Sequence, residues 1–426
     1  MSDAPHEPMV PRTWRSRFVP ASFAAQPQAV RSLSLIAFFV ALGFGIVAPA
    51  LPLFAREFGV GRQAAAAVIS IFAIMRLVSV LGGGKLANRF GERRILSLGI
   101  LIVAASSMLC GFSQSYLQLF ILRGLGGIGS AMFSVSASAL LIRTVAPEGR
   151  GQAQGIFIGG FLIGGISGPA VGGIVTGISS RAPFFVYAAT LIAAAWVGLS
   201  KLPRLEQAEA IAAAQGESMS LREAWTHSGY RAAVVAQLAD NWAIMGVRSA
   251  LLPLFVVEGL HRRPYWTGIG FLIVALINAA LLLPAGRWSD TKGRKPPMLL
   301  GLGLCSAGFA LLALEQNLAG YLIAMVLVGL GSGMLDVSPG AVTGDISQGR
   351  KAGTPVAVMQ MAGDVGSVTG PFIAGRLADQ YGYGPAFAVS AGVLFLAGAF
   401  ASLMKETRVP SIVEAETARH GAAETA

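Results

Sequence analysis

The stretch GGISGPAVGG, residues 164–173, lies inside a long apolar run and carries Gly164, Gly168 and Gly172, with Gly160 one turn earlier. Spacing by four puts all four on one side of a helix, as a strip of bare backbone that a second helix can approach closely. Pro169 falls within the strip and predicts a local bend. Residues 366–375, GSVTGPFIAG, repeat the arrangement, with Ala362, Gly366, Gly370 and Ala374 as the small stripe and Pro371 as the proline. The chain contains itself twice.

Two further pairs keep the same offset of 202 residues. GKLANRFGERR (84–94) aligns with GRWSDTKGRKP (286–296), and LRGLGGIGSAM (122–132) with AMVLVGLGSGM (324–334), which sets Gly127 against Gly329 and Gly129 against Gly331. A repeat of about half the chain indicates a two-halved membrane protein rather than a stack of short units. Composition points the same way: 54% hydrophobic, 12% charged and 54 glycines in 426 residues leave too little polar surface for a soluble protein of this size.

Apolar runs of about 20 residues occur near 33–54, 64–83, 95–112, 116–142, 152–176 and 182–201, and again near 232–257, 267–285, 297–314, 318–340, 354–375 and 384–404. The expected fold is therefore all-α and integral to the membrane, with twelve transmembrane helices in two six-helix pseudo-symmetric halves. Residues 1–30 read as a cytoplasmic tail, 31–202 as the first half, 203–229 as a polar linker with a short helix, 230–405 as the second half and 406–426 as a second cytoplasmic tail. The net charge of +11 does not indicate nucleic acid, because the basic residues alternate between loops: with both termini inside, 23 lie on the cytoplasmic side and 6 outside. That asymmetry fixes the orientation and suits a multi-pass protein of the plasma (inner) membrane.

Cys110 and Cys305 sit within apolar runs at positions that are not repeat equivalents, and His6, His227, His261 and His420 fall in tails or loops. No disulfide framework, metal site, cofactor or histidine relay is expected. No phosphate-binding G-x-x-x-x-G-K-[ST] stretch and no catalytic cluster occur, so an enzyme is not expected.

At residues 84–94 the sequence resembles motif A of the major facilitator superfamily, the loop between its second and third helices. Gly84, Leu86, Arg89, Gly91, Arg93 and Arg94 match, whereas Asn88 stands where the family usually has aspartate; the second copy, with Gly286 and Gly293, keeps Asp290. The resemblance implies gating by these residues, the carboxylate helping to latch the halves in one conformation. Arg123 with Gly127 and Gly129 resembles motif B, whose arginine is implicated in proton coupling. Gly164, Gly168, Pro169, Gly172 and Gly173 match motif C, associated with antiporters, and Gly370 with Pro371 are its echo. The resemblance covers about residues 31–405 and is to the twelve-helix drug:proton antiporters.

The first six apolar runs contain no acidic residue, so a proton-binding carboxylate within the membrane must come from the second half. Candidates are Asp240, in the seventh run, and Asp364, in the eleventh, each about ten residues in and therefore roughly 15 Å deep. Asp336 is expected near the cytoplasmic end of the tenth run, as a helix-end contact. Gln237, Asp240, Asn241, Ile244 and Arg248 share one helical face at 3.6 residues per turn and are expected to look into a central cavity, since a charged stripe facing lipid is prohibitive. Gln360 lies one turn before Asp364, and Arg76 in the second run needs a cavity, a neighbouring helix or a carboxylate. Pro49 and Pro52 should bend the outer end of the first run. These residues outline a secondary transporter, working by alternating access on a small, lipophilic or drug-like molecule with protons as the coupled ion, monomeric in the bilayer. The other reading is a symporter or uniporter for a sugar or organic anion, with Arg76, Arg123 and Arg248 as ligands.

Overall fold

In the computed structural model, residues 27–145, 150–202, 219–347 and 353–407 are described; along some helical stretches, including Gly84, Asn88, Arg89 and Pro169, the backbone path alone is described. Among these residues twelve long helices follow one another. The first six are α1 (Gln28–Arg56), α2 (Arg62–Phe90), α3 (Glu92–Phe112), α4 (Tyr116–Thr144), α5 (Arg150–Ile178) and α6 (Ala182–Lys201). The second six are α7 (Ser228–Gly259), α8 (Tyr265–Lys292), α9 (Lys295–Leu314), α10 (Leu318–Ser347), α11 (Gly353–Tyr381) and α12 (Tyr383–Ser402). Nine of the described helices are long and apolar enough to cross a membrane, and α8 is a tenth if its two arms, bent by 48° between Leu281 and Pro284, count as one span. The glycine-stripe helices α5 and α11 complete the set. A short surface helix, Leu221–Thr226, precedes α7, its first turn capped by Ser220, which accepts a hydrogen bond from the Glu223 amide at 3.2 Å. The tail and linker residues 1–26, 203–218 and 408–426 lie outside the described residues.

Several helices run past the ends set by hydropathy. α2 and α8 continue to Phe90 and Lys292, so both motif A copies are largely helical, and each helix stops at a repeat-equivalent glycine, Gly91 (φ 86°) and Gly293 (φ 105°). That left-handed backbone is cheap only for glycine, which explains this part of the motif as a helix stop. α1 is interrupted at Ala48 and Pro49 and resumes at Ala50, so the expected effect of its prolines is a break in the helix at that point.

The glycine strips are seams within each half. A Cβ on Gly160, Gly164, Gly168 or Gly172 of α5 would collide with the backbone of α1 at Ser34, Phe38, Leu42 with Gly45, and Ile46. On α11, Gly366 and Gly370 press in the same way on Leu238 and Trp242 of α7. The glycine directly after each strip turns to the opposite half: Gly173 of α5 meets Gly268 of α8, and Gly375 of α11 meets Gln63 and Ala66 of α2. Gly173 and Gly375 are repeat equivalents, as are Ala66 and Gly268, so the halves meet through two copies of one contact.

A polar clasp closes the same end, the end opposite the termini. Glu258, in the last turn of α7, accepts hydrogen bonds from Arg56 Nε at 2.6 Å, from Arg62 Nε at 2.8 Å and from the Tyr383 hydroxyl at 2.9 Å. Asp379 of α11 accepts from the Arg62 and Gln63 amides at 2.7 and 2.8 Å, capping the first turn of a helix in the other half. The Arg62 guanidinium also donates to the Ala378 carbonyl at 2.9 Å and lies over the Tyr383 ring at 4.7 Å. Arg56 and Glu258 occupy equivalent positions of the repeat, so this ion pair joins a residue to its own counterpart, as on the two-fold axis of a dimer.

Two measurements test this architecture. Gly168→Leu should wedge α5 from α1 and cost about 1–3 kcal/mol or more, whereas Gly165→Leu, which points into open space, should be close to neutral; equal melting temperatures for the two variants in detergent would refute the seam. Glu258→Gln removes charge-assisted bonds each contributing about 1.5–3 kcal/mol, less here for partial exposure, so opening at this end should rise roughly tenfold. The readout is maleimide labelling of Ser70→Cys, where Ser70 is buried and its hydroxyl donates to Val368 across the halves at 2.8 Å; unchanged labelling would show that the clasp does not hold the halves.

Candidate functional site

The polar residues of α7 are divided by the shape of their helix. From Asn241 to Arg248, and again from Phe255 to Gly259, α7 winds in wide turns with bonds to the fifth residue back. Each wide turn advances the side chains by a smaller angle than an α-helix does, so residues sharing a face on an ideal helix part company. Gln237 and Asn241 lie in the seam with α11, beside Gly363; Asn241 Nδ2 donates to the Gln237 carbonyl at 3.0 Å and the Ser367 hydroxyl approaches Asn241 Oδ1 at 3.5 Å. Ile244 is buried. The stripe therefore divides: Asp240 and Arg248 lie within electrostatic reach of Asp336 on α10 rather than in that seam, Asp240 because it precedes Asn241 by the ordinary step of about 100° on an α-helix and Arg248 because it follows the wide turns.

Asp336 is the partner that the spacing misplaced. α10 runs to Ser347 rather than ending near residue 340, because Pro339 falls in the first turn of its second segment, Ser338–Ser347, where the missing amide costs no bond. Asp336 closes the first segment at the break and lies eleven residues, about 16 Å, from that end, at a depth like that of Asp240. It accepts a hydrogen bond from Asn278 Nδ2 of α8 at 2.7 Å and stands within electrostatic reach of both Asp240 and Arg248. No direct hydrogen bond joins Asp240 to Arg248 among the described residues: Asp240 Oδ1 and Arg248 Nε are buried without partners, and the Arg248 guanidinium lies 5.2 Å from the Phe271 ring centre.

The second centre bridges the halves. Arg76 of α2 donates to Asp364 Oδ1 of α11, whose side chain is nearly buried. Hydropathy required a partner for Arg76 and left it unnamed; the tertiary structure supplies Asp364. Arg76 and Asn278 are repeat equivalents, and each holds one aspartate of the second half. Gln360 is exposed one turn before Asp364. Arg123 is buried within the first half with Nε unpartnered, its guanidinium 4.2 Å over the Phe72 ring and within electrostatic reach of Tyr187 and Cys110.

Among the described residues, the motif A side chains make their contacts within their own half. Arg93 donates to the Leu199 carbonyl of α6 and Arg94 is exposed; the side chains of Asn88 and Arg89 lie outside the described residues. In the second copy Arg294 donates to Asp290 at 2.5 Å and to Asp345 at 2.9 Å, and the Arg294 and Lys295 amides donate to Glu406 at 2.7 and 3.1 Å. The hydrogen bond to Asp345 raises the pKa of Arg294 further above its ordinary value, which keeps this knot charged. Gly286 has open space around its Cα, and the knot ties α8 and α9 to the ends of α10 and α12. Sequence reasoning missed Glu258, Asp379 and Asp345; the offset linking Arg56 to Glu258 was the one available signal.

Comparison with known proteins agrees with this geometry. The model of the Major Facilitator Superfamily matches residues 33–280 and 235–424. Multidrug resistance protein 1 of Bacillus subtilis (strain 168) is 26% identical over 348 residues, covering 80% of this chain and 87% of that protein. Multidrug resistance protein MdtG of Proteus mirabilis (strain HI4320) is 27% identical over 371 residues, covering 84% and 91%. The synaptic vesicular amine transporter of Bos taurus is 27% identical over 310 residues, covering 70% and 58%. Among solved structures, a bacterial homologue of the human lysosomal transporter Spinster, inward-facing and occupied, superposes with a TM-score of 0.71 at 16% identity, covering 88% of this chain and 95% of that one. Twelve helices in two repeated halves, seams of bare backbone at equivalent positions and a family match spanning both halves lead to one statement: the chain belongs to the Major Facilitator Superfamily and is a membrane transporter, not an enzyme.

Proposed function

We propose that this transporter exports a small, lipophilic, drug-like molecule in exchange for protons. The observation that carries the reading is the placement of Asp240, Asp336 and Asp364 near mid-membrane, each facing an arginine or amide that can stabilise its charged form. A carboxylate whose basic partner moves away between conformations binds a proton in one state and releases it in the other. Arg76 with Asp364 has that geometry, since its two members belong to different halves and must separate when the halves rock. The relatives named for multidrug resistance and vesicular amine transport support export and a hydrophobic or amine substrate.

In this reading both termini are cytoplasmic, the protein sits in the plasma membrane as a monomer, and the clasp of Glu258 and Asp379 closes the outer end while substrate enters from the cytoplasm past Asp336. The halves are residues 31–202 and 230–405, motif A gates, and the motif C seam around Gly168 and Pro169 keeps α5 on α1 as the first half rocks. One proton moving down 100 mV supplies roughly 2.3 kcal/mol, enough for a roughly 50-fold substrate gradient, so the exchange needs no ATP. One observation favours the other class, uptake of an organic anion by symport: Arg123 Nε is buried without a partner. Against it, Arg76 is held by Asp364 and Arg248 stands between two carboxylates, which leaves little free positive charge at the centre.

The deciding experiment reconstitutes the protein in liposomes with an acidic lumen and adds ethidium, or benzoate as an anion, outside. Ethidium should drive protons out of the lumen, and the double variant Asp240→Asn plus Asp364→Asn should lose at least tenfold of that flux while still exchanging ethidium. Proton movement in the same direction as either compound would overturn export.

A further inference from the structure

Among the described residues two arginines keep a buried Nε without a hydrogen-bond partner, Arg248 and Arg123, and their surroundings differ. Arg248 has Asp240 and Asp336 within electrostatic reach, whereas the titratable groups near Arg123 are the Tyr187 phenol and the Cys110 thiol, both neutral at ordinary pH. The first six apolar runs hold no acidic residue, so the spans of that half supply no carboxylate. Asp364, which reaches into this half, is engaged by Arg76. A guanidinium does not give up its proton inside a protein, so the charge of Arg123 has to be met rather than shed. At 3% exposure bulk water does not meet it, and the Phe72 ring, 4.2 Å away, does so only in part. A second orphan lies beside it. Ser106 of α3 is buried and its hydroxyl has no partner. A Cβ on Gly126 would come within 2.6 Å of Ser106 Oγ and 3.5 Å of the Phe72 ring, so hydroxyl and ring lie together against bare backbone one turn from Arg123 on α4. The guanidinium is a donor only and the hydroxyl can donate; what the two lack in common is an acceptor that carries negative charge.

We infer that Arg123 and Ser106 form a binding site for one small inorganic anion of the chloride class, resident within the first half. The anion accepts hydrogen bonds from Arg123 Nε and from the Ser106 hydroxyl, and its charge cancels that of the guanidinium. A water molecule would fill the same hydrogen bonds and leave the charge unmet. The two side chains are 3% and 4% exposed, an enclosure suited to a monatomic ion and too closed for a carboxylate or an organic phosphate. The site lies seven residues, about 10 Å, along α4 from Tyr116 at the clasp end, where α2, α3 and α4 contribute Phe72, Ser106 and Arg123. Its role is to let three helices close around a cation that none of them neutralises. The inference is independent of the exchange proposed above. It also accounts for the one arginine that the organic-anion reading leaves free, by an ion that stays rather than one that is carried.

The test is equilibrium binding of radiolabelled chloride to the full-length protein in lipid nanodiscs, in gluconate buffer of constant ionic strength. Wild type should bind one chloride per chain, saturably, with bromide competing and gluconate not. Arg123→Met should abolish binding, Ser106→Ala should weaken it several-fold, and Arg248→Met should keep it, because that arginine has carboxylates for company. The melting temperature of wild type should rise to a plateau with chloride, and that of Arg123→Met should not respond. Lack of saturable binding by wild type, or undiminished binding by Arg123→Met, would overturn the site. Benzoate, the anion of the liposome assay, should leave the bound chloride in place; displacement would put Arg123 on a transport path and refute a resident ion. Should Arg123→Met fail to fold, Arg123→Lys takes its place: a tenfold or greater loss of chloride affinity supports the site, and unchanged affinity refutes it.

Discussion

Two helices can lie backbone against backbone only where no side chain stands between them, and in a bilayer this close approach takes over much of the role that the hydrophobic effect plays in water. In this protein that constraint is met by the small-residue strips of α5 and α11, which seat against α1 and α7. The strips decide more than stability. They bring α7 near enough to α11 for Gln237 and Asn241 to be absorbed into the seam, leaving Asp240 and Arg248 to turn toward α10. A bulkier strip would move α7 away from α11 and open the seam that holds Gln237 and Asn241.

Each strip is followed directly by a glycine that touches the opposite half, so packing within a half and closure between halves are built on one helix. Gly173 and Gly375 meet Gly268 and Ala66, and the Arg56 to Glu258 ion pair sits between equivalent positions. Duplication supplies symmetric packing without further specification, but charge cannot be symmetric in the same way, because a residue that pairs with its own counterpart needs the opposite sign. This chain resolves the conflict by placing arginine in the first copy and glutamate in the second. The interior follows the same division: acidic residues within the membrane occur in the second half, and Arg76 reaches across to one of them.

Asymmetry of charge on a symmetric frame also accounts for the two centres. Arg76 on α2 and Asn278 on α8 are equivalents, and each orients one aspartate, Asp364 across the halves and Asp336 within one. The charged donor joins the two halves, whereas the amide joins two helices of the same half. The difference between the two positions is a single side chain.

Much of this was legible in the chain itself. Composition, the repeat and the alternation of basic loops determine twelve helices in two halves, because burial of backbone polar groups in lipid permits few alternatives. The glycine spacing determines where helices touch, and the scarcity of acidic residues limits the chemistry to a few aspartates. Only the tertiary structure decided which residues meet. The wide turns of α7 change the phase of Arg248 relative to Asp240, the continuation of α10 past Pro339 brings Asp336 to the depth of Asp240, and the clasp joins residues 202 positions apart. None of these follows from local periodicity, since each depends on the phase of one helix relative to another, and that phase is set by packing across the whole bundle.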